Sequence, residues 1–320
     1  MTKPWLPILL SLFLVGCSGI SDTRPEMIRS SERMLERGVE AHALGDYTGA
    51  IDLFVSALAH YRSIDHRQGM LYGHLNLAET SLASGQLSHA ATHIGQLESL
   101  AAELHDHETT QRATLLWARW YQQDGQTEQA IQILNMLLPT YRDGHPETAI
   151  GALQLAALTL RSELALLNDQ DAGGWITRLE QGVAMQSKPD PWTTARLWRL
   201  QAQWLAHQGD IEKGLLLLDQ ALDTYRAAAR RPAIAATLAE AAQLHWQAGQ
   251  HELAADHYQR ALLIRVWMMD RRHSRQLLEK LVSLYTEMDE HNKARESATL
   301  AEQITSEDAW QRLREAVRPR

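Results

Sequence analysis

The sequence predicts an all-α solenoid of stacked helix hairpins, and three observations carry the prediction. First, Gly45, Gly85, Gly125, Gly209 and Gly249 are separated by 40, 40, 84 and 40 residues, and Asp289 extends the series by another 40. Second, a small residue stands five positions after each break, at Ala50, Ala90, Ala130, Gly214, Ala254 and Ala294. Another stands seven positions before it, at Gly38, Ala78, Ala118, Ala202 and Ala242, with Val282 in the last unit. Third, the apolar residues between breaks fall on one helical face, as in Ala50, Ile51, Phe54, Ala57 and Leu58. A fixed period of this size marks a repeat array. Glycine at each break supplies the positive φ of a helix C-cap, and small residues at fixed positions let paired helices approach closely. No alternating strand pattern occurs.

Composition narrows the function classes. The 320 residues are 45% hydrophobic and 22% charged, which is a folded composition. Thirty-one Lys and Arg against 39 Asp and Glu give a net charge of −8 with no basic block, which argues against nucleic acid as the main partner. A single cysteine excludes an intrachain disulfide framework.

The elements follow in chain order. Lys3 and the apolar run Trp5–Val15 form a leader too short to span a bilayer, which takes about 20 residues. The run ends in Leu14-Val15-Gly16-Cys17, which resembles the lipobox of bacterial lipoproteins. That resemblance implies cleavage of residues 1–16, lipidation of Cys17, and a membrane anchor made of several acyl chains. An ordinary signal peptide with a chance cysteine is the alternative. Ser18, where the family's inner-membrane proteins tend to carry Asp, favours the outer membrane, facing the periplasm. Residues 17–30 then read as the lipidated cysteine and a tether.

From residue 31 the repeats begin. Leu44-Gly45-Asp46-Tyr47-Thr48-Gly49-Ala50-Ile51 and Gln208-Gly209-Asp210-Ile211 resemble the turn and second helix of tetratricopeptide repeats. The resemblance covers about residues 31–304 and is to a bacterial lipoprotein of this repeat type, in a 40-residue version. It implies a right-handed superhelical solenoid of about seven hairpins. Tyr61-Arg62, Tyr141-Arg142 and Tyr225-Arg226 recur at the end of the second helix. The interval between Gly125 and Gly209 leaves room for one more unit, over 147–186, degenerate because Gly173-Gly174 disrupts its turn. Residues 186–191 read as a loop, either a longer turn or a division between units 31–186 and 187–304. Residues 305–320 contain a capping helix with Trp310, Leu313 and Val317 on one face.

No catalytic or nucleotide-binding motif is present, and the chain is read as a non-enzyme without cofactor or metal. His89 and His93 share a helical spacing but flank the small core residue Ala90, so both are expected in solvent. His105-Asp106-His107-Glu108 reads as a solvated loop. Trp117, Trp120, Trp198 and Trp204 are expected in the core.

In proteins of this type the first helices line a concave groove. Register places Arg112, Leu115, Arg119 and Gln122 there from one unit and Arg196, Arg199, Gln203 and His207 from another. Gln243 and Trp246 follow, and Tyr72, Leu75 and Glu79 precede. The middle groove is thus expected to be basic and to grip an extended peptide or acidic protein segment, guanidinium to carboxylate. Pairing of these arginines with glutamates on neighbouring helices is the alternative. The functional expectation is a membrane-anchored, periplasm-facing scaffold for envelope proteins. The competing expectation is a regulatory subunit whose curvature responds to a peptide or small ligand.

Overall fold

The computed structural model describes residues 24–316, apart from 140, 143–144, 147–148, 169–171 and 305. The leader, Cys17 and the first part of the tether lie outside the described residues, as does Val317.

Among the described residues fifteen helices form seven hairpins and a cap. The hairpins are α1 (Glu26–Leu44) with α2 (Tyr47–Ser63), α3 (Arg67–Ala83) with α4 (Leu87–Glu103), and α5 (His107–Gln123) with α6 (Thr127–Leu137). There follow α7 (Ala152–Leu167) with α8 (Ala172–Ala184), α9 (Pro191–His207) with α10 (Ile211–Ala227), α11 (Arg231–Gln247) with α12 (His251–Trp267), and α13 (Arg271–Glu287) with α14 (His291–Gln303). The cap is α15 (Glu307–Ala316).

The repeat is more regular than the glycines alone suggest. Positive φ recurs at 45, 65, 85, 105 and 125, and again at 209, 229, 249, 269 and 289. Each full-length helix in these stretches has 17 residues, so helix plus turn advances the chain by 20. The turn within a hairpin and the turn between hairpins have the same left-handed residue. Glycine marks only the first kind. Asp65, His105, Ala229 and Met269 hold the second kind, at a cost of roughly 1–2 kcal/mol each for an L residue. Asp46, Asp106, Asp190, Asp210 and Asp270 restart the chain after five of the turns and loops. Each side chain accepts the third helical N–H, worth about 1 kcal/mol.

The small-residue columns sit where paired helices touch. Ala50, Ala90, Ala130 and Ala254 are wholly buried, as are Ala78, Ala118, Ala202 and Ala242. At Gly214 a Cβ would stand 2.9 Å from the Ala202 carbonyl oxygen. Val282 leaves the column and is only half-buried.

Three boundaries differ from the sequence reading. Helix α1 opens at Glu26, so residues 26–30 are helical rather than tether. Helix α6 stops at Leu137, because Pro139 cannot continue a helix and disfavours helical backbone before it. Tyr141-Arg142 therefore forms a two-residue strand β1 paired with β2 (His145–Pro146), instead of matching Tyr61-Arg62 and Tyr225-Arg226 inside a helix. Gly173-Gly174 lies in the first turn of α8. The core runs across the following loop: Leu158, Leu179, Leu197 and Leu200, from α7, α8 and α9, belong to one buried cluster. The Gln186 side chain donates to the Ile150 carbonyl at 2.9 Å and ties the loop to the start of α7. At the other end Trp310 of α15 is wholly buried against Val266, Leu278 and Ile304.

The superhelix closes on itself. Helix α1 packs against α11, which is ten helices later. The turn at Gly45 is buried beneath Met268, which caps α12, and the turn at Gly85 faces Arg272 of α13. The first helices of the hairpins therefore face an inner wall that the first and sixth hairpins bring round together.

Candidate functional site: the inner wall

The inner wall carries two kinds of surface. Across α9, α11 and α13 lies a cavity of about 460 Å³. Its floor is small and apolar, with Ala206, Ala235, Ala236 and Ala239, and four glutamines project from successive first helices: Gln203, Gln243, Gln247 and Gln276. Alanine leaves room for a polypeptide backbone, and a primary amide can both donate to and accept from one. His207, His273, Arg265 and Lys280 edge the cavity. Two smaller cavities, of about 280 and 300 Å³, continue the wall toward α5 and α7.

Between these cavities runs a ladder of charge. Arg199 of α9 holds Glu240 of α11 with two hydrogen bonds of 2.8 and 2.5 Å. Arg196 of α9 holds Glu163 of α7 at 2.9 and 2.6 Å. Burial penalises the Arg199 charge, but the Glu240 field and hydrogen bonds more than offset it and hold the guanidinium above its ordinary value. Burial likewise works against ionised Glu163, and Arg196 outweighs it, so the carboxyl titrates below its usual range. Glu79 is exposed on α3, and crowding by the surrounding protein raises its carboxyl against the pull of Arg119 and Arg112.

The expected basic groove is corrected accordingly. Arg196 and Arg199 line it, but each is matched by a glutamate one repeat away. Arg112 is exposed and pairs with Glu108 at 2.8 Å, one turn back on its own helix, and it lines none of the three cavities. Arg119, Gln122 and Gln203 do face the wall. Trp246 does not. Its ring packs edge-on to Tyr258 and its Nε1 donates to Glu287 at 2.7 Å, so it joins adjacent repeats. It sits three residues beyond Gln243, and three residues turn a helix side chain about 60° off the line it left.

Elsewhere His89 is exposed, but His93 is drawn inward. Its Nδ1 lies 3.0 Å from Nδ1 of the buried His74. Burial pushes His74 down to about 4 and lowers His93 as well. Asp106 of the 105–108 stretch is the α5 cap, not a loop carboxylate. Trp117 and Trp120 pack on the core under α3–α5, and Trp198 and Trp204 pack around α9. No group of three or more potential metal ligands occurs among the described residues. No helix among them is long and apolar enough to cross a membrane.

Residues 193–265 match the tetratricopeptide repeat family. The fold is a tetratricopeptide-repeat solenoid. A Rap protein complexed with competence and sporulation factor has a similar solved structure, with a TM-score of 0.60 at 14% identity over 89% of this chain and 78% of that one. A signal transduction ATPase with numerous domains and a tetratricopeptide repeat sensor, from Pyrococcus horikoshii, gives a TM-score of 0.50 at 15% identity, over 88% of this chain and 43% of that one. No curated protein matches the chain by sequence. At these identities the likeness concerns the fold alone.

Proposed function

We propose that the protein is a non-enzymatic binding scaffold whose tetratricopeptide inner wall holds an extended segment of another protein. The observation that carries this reading is the cavity across α9, α11 and α13, where four glutamines from consecutive first helices surround an alanine floor. Such a lining reads main-chain amides along a strand-like ligand, and it needs no matching charge. The acidic balance of the chain and the pairing of Arg196 and Arg199 make an acid-specific grip at those two residues a poorer account.

The finer part of the proposal concerns place. The lipobox-like Leu14-Val15-Gly16-Cys17 supports lipidation of Cys17, with the solenoid displayed from the outer membrane toward the periplasm as an adaptor for envelope proteins. Cys17→Ser should release the protein from the membrane fraction. Crosslinking of the lipidated protein in its own cells, with mass spectrometry of what is captured, tests the adaptor role. A recurrent envelope protein lost on Gln243→Glu supports it, and capture unaffected by that change contradicts it.

A second reading rests on the contact between the first and sixth hairpins. If this contact opens and closes, a ligand on the inner wall that prefers one arrangement shifts the balance between them. This is a sensing role, and the two similar structures, one bound to a factor and one carrying a sensor, support it. A ligand-dependent change in radius of gyration separates it from a rigid scaffold.

A further inference from the structure

We propose that the cavity of about 280 Å³ between α5, α7, α9, α10 and α11 is a receptor for a carboxylate carried on a compact apolar body, with Arg119, Arg230 and Tyr225 as its anion-recognising groups. This deepens the reading of the inner wall as the binding face and rests on it.

Charge and unused donors mark the site. Four arginines line the cavity: Arg119, Arg196, Arg199 and Arg230. Glu163 and Glu240 satisfy two of them through the bonds already described. Among the described residues the Arg119 and Arg230 side chains have no ion pair and donate no hydrogen bond. The Arg230 guanidinium carbon stands over the Trp192 ring, 4.2 Å from its centroid, and this contact uses none of its N–H donors in a hydrogen bond. Tyr225 is 3% exposed, lines the same cavity, and its hydroxyl has no hydrogen-bond partner among the described residues. The Tyr225 hydroxyl opens to the cavity and the two arginines are half-buried, so all three donors are free to reach an anion there. Two guanidinium groups and one hydroxyl that make no side-chain hydrogen bond to the described protein, around one hollow, define a site for an acceptor of negative charge.

The remaining lining selects the rest of the ligand. Leu115, Ala152, Ala156, Leu160 and Ala233 are apolar, and the Trp192 face adds to them. A bare inorganic anion would leave that surface wet. A carboxylate attached to an aliphatic or aromatic group of about one residue's size satisfies both halves. Its source is either the free C-terminus of the segment lying on the inner wall or a small free acid.

The electrostatics of the neighbours agree. Burial lowers Arg119, and Arg196 adds to the effect, against the pull of Glu79 and Glu163. His42, on α1, titrates at about 4 because it is buried and because Arg119 and Arg230 both act on it. Arg119 lies on α5 and Arg230 is the N-cap of α11, so a carboxylate held by both bridges the third hairpin and the sixth.

The test uses the full chain and three probes: N-acetyl-leucine, N-acetyl-leucinamide and the tripeptide acetyl-Ala-Ala-Leu with a free carboxyl. Binding is read by isothermal titration and by Trp fluorescence. The acid should bind at least about tenfold more tightly than the amide, and Arg119→Gln, Arg230→Gln and Tyr225→Phe should each weaken it. Arg119→Gln should lower the melting temperature less than Glu240→Ala does, because the Arg119 side chain makes no hydrogen bond or close ion pair with protein. Tighter binding of the tripeptide than of N-acetyl-leucine assigns the source as a peptide C-terminus, and equal binding assigns it as a free acid. Equal affinity for acid and amide, or variants that bind as the native chain does, would overturn the proposal. Partner capture lost on Gln243→Glu but unaffected by Arg119→Gln and Arg230→Gln would overturn it while leaving the scaffold reading intact.

Discussion

Met268 lies over Gly45. A Cβ built on Gly45 would stand 2.7 Å from the Met268 Cε, although the two residues lie more than two hundred positions apart. The contact joins the first hairpin to the turn after the sixth, and it makes the inner wall a closed arc instead of an open trough. Met268→Asp places a charge in this dry contact without altering any helix. The expected outcome is an unchanged helical circular dichroism signal and an increased radius of gyration by small-angle scattering. An unchanged radius would show that the closure does not depend on this contact.

The Arg199–Glu240 pair is half-hidden, with side-chain exposures of 17% and 20%. Removing one partner strands the other. Glu240→Ala should cost about 3 kcal/mol, and Arg199→Met in the same chain should recover much of it, since an apolar pair of similar volume is a tolerable substitute. Denaturant titration of the two single variants and the double one checks this. Equal and additive losses would mean that the pair is not coupled.

Gly214 accepts no side chain without displacing backbone, because its neighbour is the Ala202 carbonyl. Gly214→Val should therefore destabilise the fifth hairpin by about 1–3 kcal/mol. Gly95→Val is a control, since nothing lies within 4 Å of a Cβ there. Valine carries a small helix-propensity cost relative to alanine but is better than glycine. Comparable melting temperatures for the two variants would contradict the packing account.

Two histidines give a pH dependence. His42 and His74 titrate at about 4 in the folded chain, chiefly through burial, against about 6.5 unfolded. Arg119 and Arg230 add to the shift at His42, and His93 and Arg62 add to it at His74. Both are held neutral, so the unfolded chain binds more protons between these values. The stability they confer is complete above pH 6.5 and is lost as pH falls toward 4. Glu163, whose folded value is depressed, contributes above its unfolded value and loses that contribution lower still. Melting temperature should fall from pH 7 to 5, and less steeply in His74→Leu. A flat profile over that interval would contradict the assignment.

The period, the small-residue columns and the capping helix were legible in the residues because glycine, alanine and Trp310 act through local rules of φ, size and helical spacing. The turns between hairpins were not, because Asp65, His105, Ala229 and Met269 hold a left-handed backbone that their identities do not advertise. The groove was legible in register but not in charge. Arg199 and Glu240 belong to different repeats, and their meeting depends on how α9 stacks on α11. A search for acids one repeat from each arginine finds Glu240 at 41 residues and Glu163 at 33. Trp246 was misplaced because the three residues from Gln243 fall short of a full turn and point its side chain at the next repeat instead of the wall. The closure of α1 on α11 depends on the sum of many small rotations, and no single motif records it.

The most direct test of the binding face is a photo-crosslinking residue placed at Gln243, on the inner wall, and in a second preparation at Leu253, exposed on α12 and outside the cavities. Both proteins are irradiated in the native cells and the captured species identified by mass spectrometry. The account predicts a defined protein segment crosslinked from position 243 and not from position 253. Capture from 253 with none from 243 would contradict it and place the binding face on the outer surface.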